Sequence, residues 1–221
     1  VAEETRKAEP HLIAYTGDQV DDYPRDMEVF ASYFGDLKAP LGTHAIPGNH
    51  DVYAGWHEVR PRLEKMGANV LVNRAVKLTH NGADFWLGGT GDPAGYQMAR
   101  FMPCGDSAAP DIAKTLSEIP NGAFHVVLAH NPALFAPLAQ RGVPLTLSGH
   151  THYGQFAIPV LNWCLASPFL RFAMESHVVD RSLLYINPGT NYWGIPFRIG
   201  TPPEVTVLTL RPGSRVEISA D

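Results

Sequence analysis

Four short apolar runs along the chain each end on a polar residue in a turn. Leu12-Ile13-Ala14-Tyr15-Thr16 leads into Gly17-Asp18, and the run from Thr43 leads through Ile46-Pro47 into Gly48-Asn49-His50-Asp51. His125-Val126-Val127-Leu128-Ala129 ends on His130-Asn131, and Leu145-Thr146-Leu147-Ser148 ends on Gly149-His150. Continuous apolar runs of this length bounded by turn residues read as buried strands. The intervening patterns predict helices over residues 25–37, 55–66, 111–119 and 132–140. Strands alternating with helices predict α/β units whose ligand chemistry lies where strand ends converge.

Two stretches depart from that alternation. Val76-Lys77-Leu78-Thr79 and Asp84-Phe85-Trp86-Leu87 flank Asn81-Gly82, the dipeptide that best favours a two-residue hairpin turn. The C-terminal third predicts further strands at residues 182–186, 204–210 and 215–219, interrupted by Gly and Pro. With no internal repeat and no linker-like tract, residues 1–221 are expected to form a single domain.

Composition narrows the partners more than the fold. The chain has 221 residues, 45% hydrophobic and 18% charged, with a formal net charge of -5. That balance, without a basic aromatic-laced stripe, argues against a nucleic-acid binder. Cys104 and Cys164 make neither a disulfide framework nor a Cys-x-x-Cys zinc site. No apolar run approaches the roughly 18 to 20 residues of a membrane-spanning helix, so a soluble domain is expected. The opening run Val1 to Lys7 is polar and lacks an initiator Met, so an upstream piece is expected to be missing.

Chemistry concentrates at the four strand ends. Gly beside a polar residue permits a tight turn and close backbone approach to a ligand. Imidazole, carboxylate and carboxamide oxygen together suit borderline or hard divalent ions such as zinc, manganese or iron. A lone His130 after an apolar strand is more often a satisfied core histidine, and Gly17-Asp18 alone could be an ordinary turn. Gly149-His150-Thr151-His152 is stronger, because two histidines at i and i+2 in a Gly-turn can face one cavity.

Taken together, Gly17-Asp18-Gln19-Val20-Asp21, Gly48-Asn49-His50-Asp51, Ala129-His130-Asn131-Pro132 and Gly149-His150-Thr151-His152 resemble the calcineurin-like metallophosphoesterases, in the family's order. The stretch Leu147 to Gln155, Ile158-Pro159, Ile195-Pro196-Phe197-Arg198 and Pro203-Glu204-Val205 resembles one bacterial branch. Its members are often membrane-associated phosphodiesterases, and some cleave the pyrophosphate of UDP-2,3-diacylglucosamine. Tyr153 stands where many of them have Gly.

The resemblance implies an α/β fold, a two-sheet β-sandwich flanked by α-helices, and hydrolysis of a phosphodiester or pyrophosphate bond. It implies two divalent ions, manganese, zinc or iron, with Asp18 bridging, Asn49, His130 and His150 completing the second metal's shell, and His152 on the first. His50 would donate the proton to the leaving oxygen and Asp51 would orient its ring, while Asp21 holds the turn. A phosphate-ester substrate, lipid- or nucleotide-linked, is the implied partner. The rival readings are a phosphomonoesterase or protein phosphatase on the same site, and a catalytically inactive metal-binding module.

One family element is missing. The family places an Asp-x-His on an earlier strand, supplying two more ligands to the first metal, and this sequence contains no Asp-x-His. Either that first strand is truncated or the chain holds one metal. Truncation is preferred, since a missing central strand would leave a sheet edge unpaired. Finally, the apolar run Phe156 to Phe172 close after His152 is expected to pack the second sheet; the alternative is a lip for a lipid tail or peripheral membrane contact.

Overall fold

A computed structural model describes residues 1–101 and 108–213. Helix α1 (Ala2–Lys7) precedes β1 (Ile13–Tyr15), α2 (Asp26–Phe34), β2 (Thr43–Ala45), α3 (Asn49–Lys65) and β3 (Ala68–Val70). Then follow β4 (Arg74–His80), β5 (Ala83–Gly89), α4 (Ala94–Met98), α5 (Ile112–Ser117), β6 (His125–Leu128), α6 (Phe135–Ala139) and β7 (Leu145–Ser148). The chain continues through β8 (Ala157–Ile158), β9 (Trp163–Cys164), β10 (Ser176–Val179) and β11 (Ser182–Ile186). The first three strands form a parallel sheet in the order β1-β2-β3. A six-stranded sheet runs β10-β11-β7-β6-β5-β4, parallel across its four central strands and antiparallel at both edges.

Period-two alternation assigns the layers. Along β6, Val126 and Leu128 point toward the small sheet and pack with Ile46, Leu71, Leu87, Leu145 and Leu183. Val127 and the following Ala129 point the other way, against Leu138 and Val143, with Ile112, Leu116 and Leu134 beside them. On the small sheet, Ala45, Ala68 and Val70 face Met27 of α2 and Val52, Trp56, Val59 and Leu63 of α3. The order is therefore helix, sheet, sheet, helix, with a core between the sheets and one outside each. Full burial of side chains such as Leu128 and Trp56 contributes about 1.5–3 kcal/mol each.

The hairpin turn falls at Asn81-Gly82, with φ of 49° and 78°, the left-handed pair a type I′ turn requires. Helix α3 begins at Asn49, six residues before the expected start, because Gly55 (φ 113°, ψ 85°) kinks it instead of opening it. The predicted strand at residues 204–210 forms no ladder; its Glu204 and Thr206 side chains instead bond Tyr185 and Asn187. The predicted strand at 215–219 and Cys104 lie outside the described residues. Among the described residues, β1 pairs only with β2.

The run Phe156 to Phe172 divides. Phe172 is buried with Phe135 and Leu184, as core packing requires. Val160, Leu161, Leu165 and Phe169 are exposed, Phe169 to 81%. No helix among the described residues is long and apolar enough to cross a membrane.

Candidate metal centre

Parallel strands from both sheets end on one side of the molecule, and the loops leaving β1, β2, β6 and β7 meet there. Asp18 follows β1, Asn49 opens α3 after β2, His130 follows β6, and His150 follows β7. One ligand atom each from Asp18, His130 and His150 lies within 4.8 Å of the others. His130 Nε2 is 3.1 Å from Asp18 Oδ2 and 3.1 Å from Asn49 Oδ1. His150 Nδ1 is 2.8 Å from the same Asn49 oxygen. Two imidazoles, a carboxylate and a carboxamide oxygen thus converge, a donor set that suits zinc, manganese or iron.

The tight approach explains the glycines. A Cβ on Gly48 would sit 2.1 Å from Asp18 Oδ1, and one on Gly17, at φ +100°, would sit 2.4 Å from His130 Nδ1. Asp18, His150 and His152 themselves hold φ of 56°, 70° and 47°. Left-handed backbone at non-glycine residues costs about 1–3 kcal/mol each and concentrates where function over-determines geometry.

Hydrogen bonds fix the rings. His130 Nδ1 lies 2.7 Å from the Thr16 carbonyl, which can only accept, so that nitrogen carries a proton and Nε2 faces the cluster. Burial opposes charge on His130, but the adjacent Asp18 carboxylate outweighs it and raises the pKa to about 9. Burial likewise opposes charge on Asp18, and the His130 charge and hydrogen bond outweigh it, lowering the pKa to about 2. For His150, burial and then the His130 charge lower the pKa to about 4. That ring is neutral at neutral pH.

His152 stands outside the three-residue group. It is half-buried, its pKa is lowered by burial, and its Nδ1 has no hydrogen-bond partner among the described residues. A buried, unpartnered ring nitrogen fits a ligand position. Beside it, Tyr153 adopts φ 53°, a conformation glycine takes freely, and is held by its hydroxyl donating to the Ile186 carbonyl at 2.8 Å.

The roles expected for Asp51 and Asp21 need correction. The fully buried Asp51 carboxylate accepts from the backbone N–H groups of Gly48, Asp18, Gln19 and Val20 at 2.8–3.1 Å. It therefore clamps the two metal-site loops together rather than orienting His50. Burial and then Asp18 push its pKa up, while those N–H groups favour the ionised form. The His50 ring is oriented by Asp21: Nδ1 lies 3.0 Å from the Asp21 carbonyl and 3.3 Å from its carboxylate. His50 also donates its backbone N–H to Asp18 Oδ1 at 2.9 Å.

Sequence reasoning missed Asp92. It ends the loop after β5, where Leu87-Gly88-Gly89-Thr90-Gly91-Asp92 repeats the apolar-run-then-polar signal used elsewhere. Asp92 is 1% exposed, accepts from Ala94 N–H at 2.9 Å, and leaves Oδ2 without a partner among the described residues. Burial raises its pKa, and the His130 charge acts against that rise.

Comparison with known proteins identifies the family and the fold. A family model described as calcineurin-like phosphoesterase matches residues 1–154. The chain belongs to the calcineurin-like phosphoesterase family. An uncharacterized metallophosphoesterase from Helicobacter pylori is 30% identical over 213 residues, 96% of this chain and 54% of that protein. A Danio rerio transmembrane protein with metallophosphoesterase domain is 33% identical over 211 residues, 91% of this chain and 46% of that protein. The chain thus spans about half the length of these metallophosphoesterase relatives. Among solved structures, a putative 5′-nucleotidase from Staphylococcus aureus shares the fold with a TM-score of 0.52 at 11% identity, covering 81% of this chain and 40% of that one.

Proposed function

We propose that this metallophosphoesterase domain hydrolyses a phosphodiester or pyrophosphate bond with the help of divalent ions. The observation that carries the reading is the convergence of Asp18, Asn49, His130 and His150 on one point. When bound, divalent ions supply Lewis-acid charge against phosphoryl oxygens and lower the pKa of water. Asp18, Asn49 Oδ1, His130 Nε2 and His150 Nδ1 would hold one ion, while Asp18 and His152 would contribute to a second. His50 then protonates the leaving oxygen from Nε2, since Asp21 engages Nδ1. Asp51 keeps the Asp18 and Asn49 loops in register through four backbone bonds.

A specific observation favours a rival. At the second ion, Asp18 and His152 fall short of the three protein ligands usual at a catalytic site, which suits a metal-binding module without turnover. Assays with manganese on bis(p-nitrophenyl) phosphate and p-nitrophenyl phosphate separate the readings. Preferential cleavage of the diester is expected; a strong monoester preference contradicts the diesterase reading, and turnover of neither supports the silent module.

We also infer that the exposed Val160, Leu161, Leu165 and Phe169 meet a bilayer surface. Support comes from the near absence of charge in the run Phe156 to Phe172, where Arg171 is the sole charged residue, and from the Danio rerio relative's name as a transmembrane protein. Co-sedimentation with phospholipid vesicles that drops in a Leu161→Ser, Phe169→Ser double variant is expected. Equal pelleting of the two proteins, or none by either, contradicts it.

A further inference from the structure

The loop that follows β11 carries an exposed tryptophan to the edge of the site, and holds it there with bonds that its own burial does not explain. Trp193 is 58% exposed. Its ring centroid nevertheless lies 6.3 Å from that of His50, at an interplanar angle of 66°. Tyr53, three residues after His50 on α3, is 49% exposed and approaches the same imidazole at 6.2 Å and 70°. Two half-open aromatic rings from separate elements therefore stand beside one histidine.

The loop around Trp193 is pinned from two sides. Gln155 accepts from the Trp193 backbone N–H and donates to the Ile195 carbonyl at 3.1 Å. Ile199 N–H returns to the Gln155 carbonyl at 2.9 Å, and Ala157 N–H to the Ile199 carbonyl at 2.9 Å. From within, the Arg198 guanidinium bonds the Pro188 carbonyl at 2.6 Å, the Thr201 carbonyl at 2.7 Å, and the Asn191 carbonyl. It also reaches the carbonyl of His152 at 3.5 Å, which links this loop to the metal-site turn. An exposed indole gains little from burial, so this much ordering of the backbone that carries it points to a ligand.

Resting on the reading of His50 as the acid that protonates the leaving oxygen, we propose that Trp193 and Tyr53 form the leaving-group subsite. They select phosphodiesters whose leaving alcohol carries a planar aromatic or heteroaromatic ring, as a nucleoside does. The leaving group must lie against His50, and the side chains beside it there include these two half-exposed rings. Aromatic faces favour flat partners over flexible chains, because stacking covers area on both without freezing rotors. Trp193 is thus a specificity-determining residue, and Gln155 and Arg198 position it.

The test compares two diesters of matched leaving-group acidity, one releasing a phenol and the other a fluorinated alkanol, with manganese-loaded protein. Wild type is expected to favour the phenol ester by about tenfold in kcat/KM, the scale of one aromatic stacking contact. Trp193→Ala should erase that preference by lowering the phenol ester alone, and Trp193→Phe should restore most of it. An equal fall for both esters overturns the proposal and makes the indole a prop for His50; no change for either overturns it outright. If wild type cleaves neither ester, the hydrolase reading itself fails and the subsite falls with it, a result distinct from wild-type turnover without selectivity.

Discussion

His50→Gln should lower kcat by about 10²-fold to 10⁴-fold while leaving bound metal per chain unchanged. The argument is geometric. His50 is not in the group formed by Asp18, His130 and His150; the carboxylates it neighbours, Asp21 and Asp22, are exposed. Its backbone N–H, which glutamine retains, makes the 2.9 Å bond to Asp18. Its ring is fixed through Nδ1 by Asp21, which leaves Nε2 as the proton-bearing position toward substrate. Steady-state turnover of bis(p-nitrophenyl) phosphate, with metal analysis on the same samples, checks both halves. Unaltered kcat would remove His50 from the mechanism; parallel loss of metal would make it a ligand or a folding element instead.

Asp18→Asn should abolish metal retention and with it turnover, and in wild type metal binding should depend steeply on pH. In the metal-free protein Asp18 is ionised and holds the proton on His130, whose pKa of about 9 lies above its ordinary value. That proton must leave before Nε2 can bind a metal, so affinity should rise by about tenfold per pH unit from pH 7 to near 9. The stability of the metal-free protein runs the opposite way. The His130 contribution is complete below its unfolded pKa and is lost as pH rises through about 9; the Asp18 contribution is lost as pH falls through about 2. Calorimetry in buffers of differing protonation enthalpy should detect about one proton released per ion at pH 7 in wild type. No proton release by wild type contradicts the assignment of His130 as a protonated ligand-in-waiting.

Much of the site was legible because its residues sit at strand ends, where an apolar run stops and geometry forces a turn. Asp18, Asn49, His130 and His150 all carry that signal, and Gly17 and Gly48 mark the close approach that the structure measures. Asp92 carries the same signal after β5, yet glycines interrupt its run and blur the strand pattern that would mark it. The exchange of roles between Asp51 and Asp21 was not legible. Both are carboxylates within one or three residues of a site residue, and only folding decides which meets backbone amides and which meets a ring. Trp193 was hidden for a different reason: 143 positions separate it from His50 in the chain, and its loop has no periodic pattern.

The fold was legible where a local pattern sufficed. The Asn81-Gly82 hairpin and the buried strands β6 and β7 follow from turn chemistry and continuous apolar runs. In the sequence Gly55 looks like a start signal for α3, whereas in three dimensions it kinks a helix already opened by Gly48 and Asn49. Strands β3 and β10 are three and four residues long, and their existence depends on neighbours distant in sequence.

The most direct test of the account is the anomalous-scattering map of manganese-soaked crystals. The account predicts a peak about 2.0–2.2 Å from Asp18 carboxylate, Asn49 Oδ1, His130 Nε2 and His150 Nδ1. A map with no peak at those four atoms, from crystals that carry manganese elsewhere, would contradict it.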